Sequence, residues 1–300
     1  RPLHRRGGMT PPPRGRVDYH ARLARVTAYI HDHLDALPDL DLLAGLAHLS
    51  PYHWHRIYHA LQGETVAATV RRLRLQRGSG YLAHTAHSVA RIAALCGYPN
   101  AQSFARAFRQ AYGASPSEWR RAARLCPFEA MPPPGACAEA GGGWPVEVRE
   151  VPAVALAGID HRGAYMRIGR AFEAARLHAA AQGLVRQGAR SLAVYFDDPF
   201  AFPEVQLRSR AGLEVPPTAT VQPPLATFTL GGGPCAVLRY RGPYAGMRAA
   251  YQWLFGPWLL ASGRVPANHP VFEEYLNDPR DTVPADLLSV IYLPLEPLAG

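Results

Sequence analysis

The sequence predicts a multidomain chain: an all-α first part holding two matching helix-turn-helix units, then an α+β second part that is itself a duplication. Three observations carry this. Arginine crowds into the first part, a stretch of linker composition divides the chain, and each part repeats a string of residue types at a fixed offset.

The 300 residues carry a formal charge of +9, unevenly placed. Residues 1–125 hold 18 Arg against 7 carboxylates, whereas residues 126–300 hold 14 against 16. A basic half joined to a near-neutral half points to a polyanion as partner of the first half only. Every cation is Arg, a side chain suited to bidentate contacts with phosphate and guanine. Length and composition fit two globular domains and exclude a disordered chain. The cysteines, Cys96, Cys126, Cys137 and Cys235, form no C-x-x-C pair, so neither a zinc ribbon, a redox dithiol nor a disulfide framework is expected. No run reaches the roughly 20 apolar residues that span a bilayer, and the basic start lacks the apolar core of a signal peptide. A cytoplasmic chain without a membrane partner is expected.

In chain order, residues 1–16 read as a flexible tail. From Val17 to Leu37 apolar residues recur three and four apart at Leu23, Val26, Ile30 and Leu34, one face of a helix that Pro38 ends. Helical pieces continue to residue 125, giving a first domain of 17–125. Residues 126–143, with Pro132 to Gly135 and Gly141 to Gly143, have linker composition. From 144 to 300 the β-type runs Val146–Ile159, Leu192–Phe196, Ala236–Tyr240 and Leu288–Leu293 alternate with two long helical patterns.

Within the first domain the chain matches itself at an offset of fifty. Ser50 pairs with Asn100, Trp54 with Phe104, Arg56 with Arg106, Tyr58 with Phe108 and Gly63 with Gly113. Each copy has a small residue, Ala44 or Ala93, that permits close helix crossing. A capping side chain, Ser50 or Asn100, then starts a second helix. Aromatic residues four apart anchor that helix inward and leave the intervening residues outward. This is the construction of a helix-turn-helix whose second helix enters the major groove. Tyr52, His55 and Arg56 in the first copy, and Gln102, Ser103 and Arg106 in the second, are the base-reading candidates. Arg can bridge guanine O6 and N7, and Gln the matching atoms of adenine. Arg71, Arg72, Arg74, Arg109, Arg120 and Arg121 are candidates for phosphate contacts, with Arg77 and Arg124 nearby. A helical bundle with a solvated Arg-rich face is the competing account. A structure with either reading helix packed inward, or its arginine hidden beneath other chain, would count against the regulator reading as a whole.

The run Ile92-Ala93 … Gly97-Tyr98 … Phe104-Ala105-Arg106-Ala107-Phe108 … Tyr112-Gly113-Ala114-Ser115-Pro116-Ser117-Glu118-Trp119 resembles the signature of the AraC/XylS regulators. Ser50-Pro51-Tyr52-His53 … Arg56 and Leu73-Arg74-Leu75 match as well. The resemblance implies a bacterial regulator with seven helices and two reading helices in successive major-groove segments of double-stranded DNA. Gly78-Ser79-Gly80 stands where that family usually has alanines, and is expected to weaken or bend the connecting helix.

The second part repeats at offsets of 79 and 80: Arg162-Gly163-Ala164-Tyr165 answers Arg241-Gly242-Pro243-Tyr244, and Tyr195 to Pro199 answers Tyr275 to Pro279. Two strand–helix–strand–strand halves related by a pseudo-twofold are expected to leave a cleft for a small ligand. Arg241-Gly242-Pro243-Tyr244, Trp258-Leu259, Phe272 to Pro279 and Ile291 to Leu295 resemble GyrI-like effector-binding domains. That resemblance implies an acidic residue in an E-x-Y context, here Glu273 with Glu274 as fallback, among aromatic walls. Neighbours on a strand face opposite ways, so at most one of the two faces the cleft. Tyr195, Tyr251, Phe255 and Trp258 are the candidate walls for a small lipophilic or cationic effector. The competing account makes these aromatics core and the acidic pair a solvated edge strand.

The pairs His55–His59 and His84–His87 have metal-compatible spacing without a third ligand in sequence, and exposed histidines on a DNA face are the simpler account. Neither Asp197-Asp198 nor Gly231-Gly232-Gly233-Pro234 makes a catalytic dyad or phosphate loop. No metal, cofactor or catalytic residue is expected. Three functions stay open for the second part: sensing an effector for a regulator that addresses DNA and RNA polymerase, hydrolysing a ligand, or docking a protein.

Overall fold

In the computed structural model the described residues are 17–36, 38–122 and 143–298. The expected tail 1–16, Cys126, Cys137, Arg124 and all of the expected linker but Gly143 lie outside them. None of the described helices is long and apolar enough to cross a membrane.

Among the described residues, seven helices build the first part. Helix α1 (Tyr19–Asp32) starts where Asp18 accepts from the Ala21 amide at 3.0 Å, and buries Tyr19, Leu23, Val26 and Ile30 on one face. It stops at His33, earlier than the apolar spacing predicts. The His33 ring hydrogen-bonds the Tyr29 carbonyl and stacks on the Tyr29 ring, closing the last turn. Helices α2 (Leu40–Ala47) and α3 (Trp54–Gln62) form the first helix-turn-helix, and α5 (Val89–Leu95) and α6 (Ala101–Tyr112) the second. Between them runs α4 (Val66–His84), and α7 (Pro116–Arg121) follows with a capping box between Ser115 and Glu118.

The repeat is physical as well as textual. Trp54, Tyr58, Phe104 and Phe108 are all buried, and Gly63 (φ +75°) and Gly113 (φ +73°) end α3 and α6 in the left-handed conformation that glycine adopts without strain. The copies differ at their starts. Asn100 caps α6 through the Ser103 amide at 2.8 Å. Ser50 does not cap α3: a tight turn follows it, and its hydroxyl donates to Asn268 Oδ1 at 2.9 Å in the second part. Helix α4 runs 19 residues without a break through Gly78. The expected weak point is instead a close crossing, since a Cβ on Gly78 would lie 2.8 Å from the Phe104 ring.

The second part is one eight-stranded antiparallel sheet in the order β1-β6-β8-β7-β3-β4-β2-β5. The strands are β1 (Val146–Val151), β2 (Val154–Arg162), β3 (Ser191–Tyr195), β4 (Arg208–Glu214), β5 (Ala226–Leu230), β6 (Gly233–Arg241), β7 (Val271–Tyr275) and β8 (Leu288–Pro294). The run expected over 146–159 is split into β1 and β2 at Pro152, which cannot donate to a ladder. The two halves meet where β3 pairs with β7, Ala193 opposite Glu273, so β7 is interior and not the solvated edge strand of the competing account. The halves share their hydrogen bonds: the Arg208 amide donates to Asp197 at 2.7 Å, and the Leu288 amide to Asn277 at 2.9 Å. Asp197 thus closes a strand-end turn. One sheet face carries α8 (Gly169–Ala181) and the run α9 (Met247–Trp253), a π-helical turn over Leu254–Trp258 containing Pro257, and α10 (Leu259–Ser262).

Helix α3 lies against the second part. A Cβ on Gly256 would sit 3.3 Å from that of Ala60. His53 Nε2 hydrogen-bonds the His269 carbonyl at 2.7 Å, and Tyr19 donates to the Arg264 carbonyl at 2.6 Å. One apolar cluster includes Leu23, Ile57 and Leu61 together with Leu254, Phe255 and Leu259. The expectation that both reading helices point outward therefore fails for α3.

Candidate functional site

The second reading helix presents what its sequence promises. Alternating burial of Phe104 and Phe108 leaves Gln102 and Arg106 exposed and Ser103 half-buried on the outer side of α6. Of the phosphate candidates, Arg71, Arg109 and Arg121 are exposed. The other three are engaged within the fold. Arg74 donates to the carbonyls of Leu34 (2.6 Å), Gly97 (3.0 Å) and Ala36 (3.0 Å). Arg72 pairs with Glu64 at 2.7 Å, and Arg120 donates to the His87 carbonyl at 2.6 Å.

The first reading helix is covered. Arg56 is only 8 % exposed and His55 7 %, with Tyr52 half-buried. His55 packs on Trp54 and edge-on to Phe202, and burial pushes its imidazole down to about 3. Of the histidines expected exposed, His84 and His87 are, whereas His59 is half-buried and His55 buried; His53 beside it is buried too, which pushes its imidazole down to about 3. Arg56 donates to the Tyr52 carbonyl at 2.9 Å and across the domain boundary to the Asp197 carbonyl at 2.7 Å. Its guanidinium carbon stands 5.9 Å from the ring centre of Tyr251 and 5.7 Å from that of Phe255.

Those rings belong to a cavity of about 970 Å³ between α8 and α9, with the β3–β7 junction as floor. Strand alternation sends Glu273 to this face, where it is 6 % exposed. Tyr251 donates to its Oε1 at 2.6 Å and Tyr275 to its Oε2 at 2.7 Å, while the hydroxyls of Tyr195 and Tyr275 hydrogen-bond each other. Tyr165 meets Tyr195 edge-on at 4.7 Å, and Tyr244 and Phe172 do the same to Tyr275 at 5.5 and 5.4 Å. Burial raises the Glu273 carboxyl above the ordinary range, while the tyrosine hydroxyls and the Arg56 charge pull it back. The hydroxyls of Tyr195, Tyr251 and Tyr275 are pushed well above their usual value by burial and by Glu273. Glu274 faces the other side, chelated by Arg190 through two bonds of 2.7 Å and accepting from Tyr292.

A cavity of this size, with the buried carboxylate of Glu273 at its floor and a ring of aromatic faces, suits a small molecule carrying rings and positive charge. The family profile described as a GyrI-like small molecule binding domain fits residues 145–296. The chain belongs to the GyrI-like family. A second profile, a helix-turn-helix domain, fits residues 43–122, and that domain is of the AraC type. Among curated proteins, the chain is 29 % identical over 100 residues to the bifunctional transcriptional activator/DNA repair enzyme AdaA of Bacillus subtilis, covering 33 % of this chain and 47 % of AdaA. It is 33 % identical over 97 residues to the MmsAB operon regulatory protein of Pseudomonas aeruginosa, covering 32 % of each. To the transcriptional regulator Rob of Salmonella typhimurium it is 30 % identical over 105 residues, covering 35 % of this chain and 36 % of Rob. The chain thus spans less than half the length of these relatives.

Of the walls expected for the GyrI-like cleft, Tyr195, Tyr251 and Phe255 line it and Trp258 does not. Tyr251 and Phe255 stack at 6.2 Å, but the π-helical turn adds a residue to the next turn and carries Trp258 away. Tyr165, Tyr244 and Tyr275 were missed. Tyr275 had a signal, being the Y of E-x-Y and two residues from Glu273 on one strand face. Arg56 in the cleft had none.

Proposed function

We propose that this chain is a DNA-binding transcriptional regulator whose GyrI-like domain senses a small cation bearing aromatic or lipophilic rings. The observation that carries the reading is Glu273, a single carboxylate at the floor of an aromatic cavity, in a chain that also holds a helix-turn-helix domain. Double-stranded DNA is the macromolecular partner, and RNA polymerase the further one addressed at a promoter. Gln102, Ser103 and Arg106 read bases from α6, and Arg71, Arg109 and Arg121 hold phosphates. Arg74 is reassigned to tying α4 to its neighbours. Tyr52, His55 and Arg56 are the reading set of α3 only once that helix is uncovered; its covering counts against the regulator reading, which the helix-turn-helix profile over residues 43–122 supports.

The test begins with a site selected from random DNA. Arg106→Ala should weaken binding to it by roughly 1–3 kcal/mol and relax specificity at one base position, whereas Arg109→Ala should lower the salt slope by about 1 without changing sequence preference. Unaltered affinity and specificity in Arg106→Ala would remove α6 from the reading. Tetraphenylphosphonium should raise the unfolding temperature of the full chain by mass action and fail to do so for Glu273→Gln. If instead the cation is converted to product, the domain is an enzyme.

A further inference from the structure

Arg56 belongs to two descriptions at once. By its place in the repeat it is the counterpart of Arg106, the arginine of the reading helix. By its position it is part of the cleft wall, its guanidinium against Tyr251 and Phe255 while the charge reaches Glu273. It is a cation lying on the aromatic faces beside the floor carboxylate Glu273, which is where the proposed effector would sit. We infer that Arg56 is a tethered occupant of the cleft's cation site, so that a ring-bearing cation entering between Glu273 and the Tyr251–Phe255 wall expels it and frees α3 to reach DNA.

The inference rests on the effector reading above and adds how that effector is coupled to DNA. Two cations cannot share these ring faces and one carboxylate without repulsion in a water-poor site. Departure of Arg56 leaves the Asp197 carbonyl a second donor in Tyr165 at 2.9 Å, and the Tyr52 carbonyl, its other acceptor, lies on the turn that leads into α3 and travels with it. The guanidinium is carried by the same helix as Ala60, which meets Gly256, and next to His55, which meets Phe202. Losing its anchor therefore loosens the contact that hides α3. Coupling of this kind is reciprocal: DNA that captures α3 draws Arg56 off the Tyr251–Phe255 wall and must tighten the effector by the same factor.

Two measurements on the full chain decide it. Titration calorimetry with tetraphenylphosphonium should show Arg56→Ala and Arg56→Gln binding more tightly than wild type, by roughly 3- to 30-fold, the worth of one cation on an aromatic face. Equal or weaker binding in both variants overturns the inference while leaving the effector reading standing, and binding to no form sinks the two together. In the second measurement, Ala60→Cys with Gly256→Cys is oxidised to lock α3 down, beside oxidised wild type as control for the native cysteines. Footprints on the selected DNA should then show only the half-site of α6, and reduction should restore the other half. Protection of both halves by the locked chain overturns the inference.

Discussion

Glu273 accepts hydrogen bonds from two tyrosines and still lies deep enough for burial to hold its carboxyl above the ordinary 4.5. The folded chain therefore retains a proton that the unfolded chain gives up. Stability must fall as pH rises from about the ordinary value through the raised one, and stay level above it. Glu273→Gln should erase that slope in urea titrations stepped through pH, and equal slopes in both proteins would assign it to another group. Strand alternation allows only one of Glu273 and Glu274 to face the helices, and the resemblance to GyrI-like domains, through E-x-Y, pointed to Glu273. Trp258 was misplaced because residues 251, 255 and 258 share a face only in a regular α-helix, and nothing in their order announces a π-helical turn.

Among elements, α4 shows two glycines of opposite character. A Cβ at Gly78 meets the Phe104 ring at 2.8 Å, whereas one at Gly80 meets nothing within 4 Å. Gly78→Ala should destabilise by roughly 1–3 kcal/mol, as overpacked sites do. Gly80→Ala should stabilise by about 0.5–1 kcal/mol through helix propensity. Chemical-denaturation midpoints moving the same way in the two variants would deny the Phe104 crossing its role. Paired motifs made α3 and α6 readable from their anchors and closing glycines. Strands β4 and β5 were not, since Arg208 and Arg210 break the apolar signal of the first and the second is five residues long. The position of β7 between β3 and β8 is a fact of strand order, which local pattern does not encode.

In the whole molecule, the covering of α3 was invisible in the sequence because arginine, histidine and tyrosine suit a groove in DNA and an aromatic cleft equally well. The contact has a pH signature. His53 and His55 are both pushed down to about 3, chiefly by burial and then by the neighbouring Arg56, so the covered arrangement requires neutral rings. Its stabilisation is complete above the ordinary histidine value of 6.5 and is lost as pH falls toward 3. Distances between spin labels on α5 and α8 should therefore lengthen and broaden between pH 7.5 and 5. An unchanged distribution would show that these rings stay neutral without the contact.

The central β3–β7 pair sets Ala193 and Glu273 at equivalent places, one in each copy of the duplicated unit. The half-turn that relates the copies supplies tyrosines in pairs, Tyr195 with Tyr275 and Tyr165 with Tyr244, and aspartates in a pair, Asp198 with Asp278, but supplies a carboxylate on the floor strands once. A guest with a charged end and an uncharged end is thereby denied the second pose, turned end for end, that matched walls would otherwise offer. Handedness of fit comes from a methyl group standing where a carboxylate would have restored the balance.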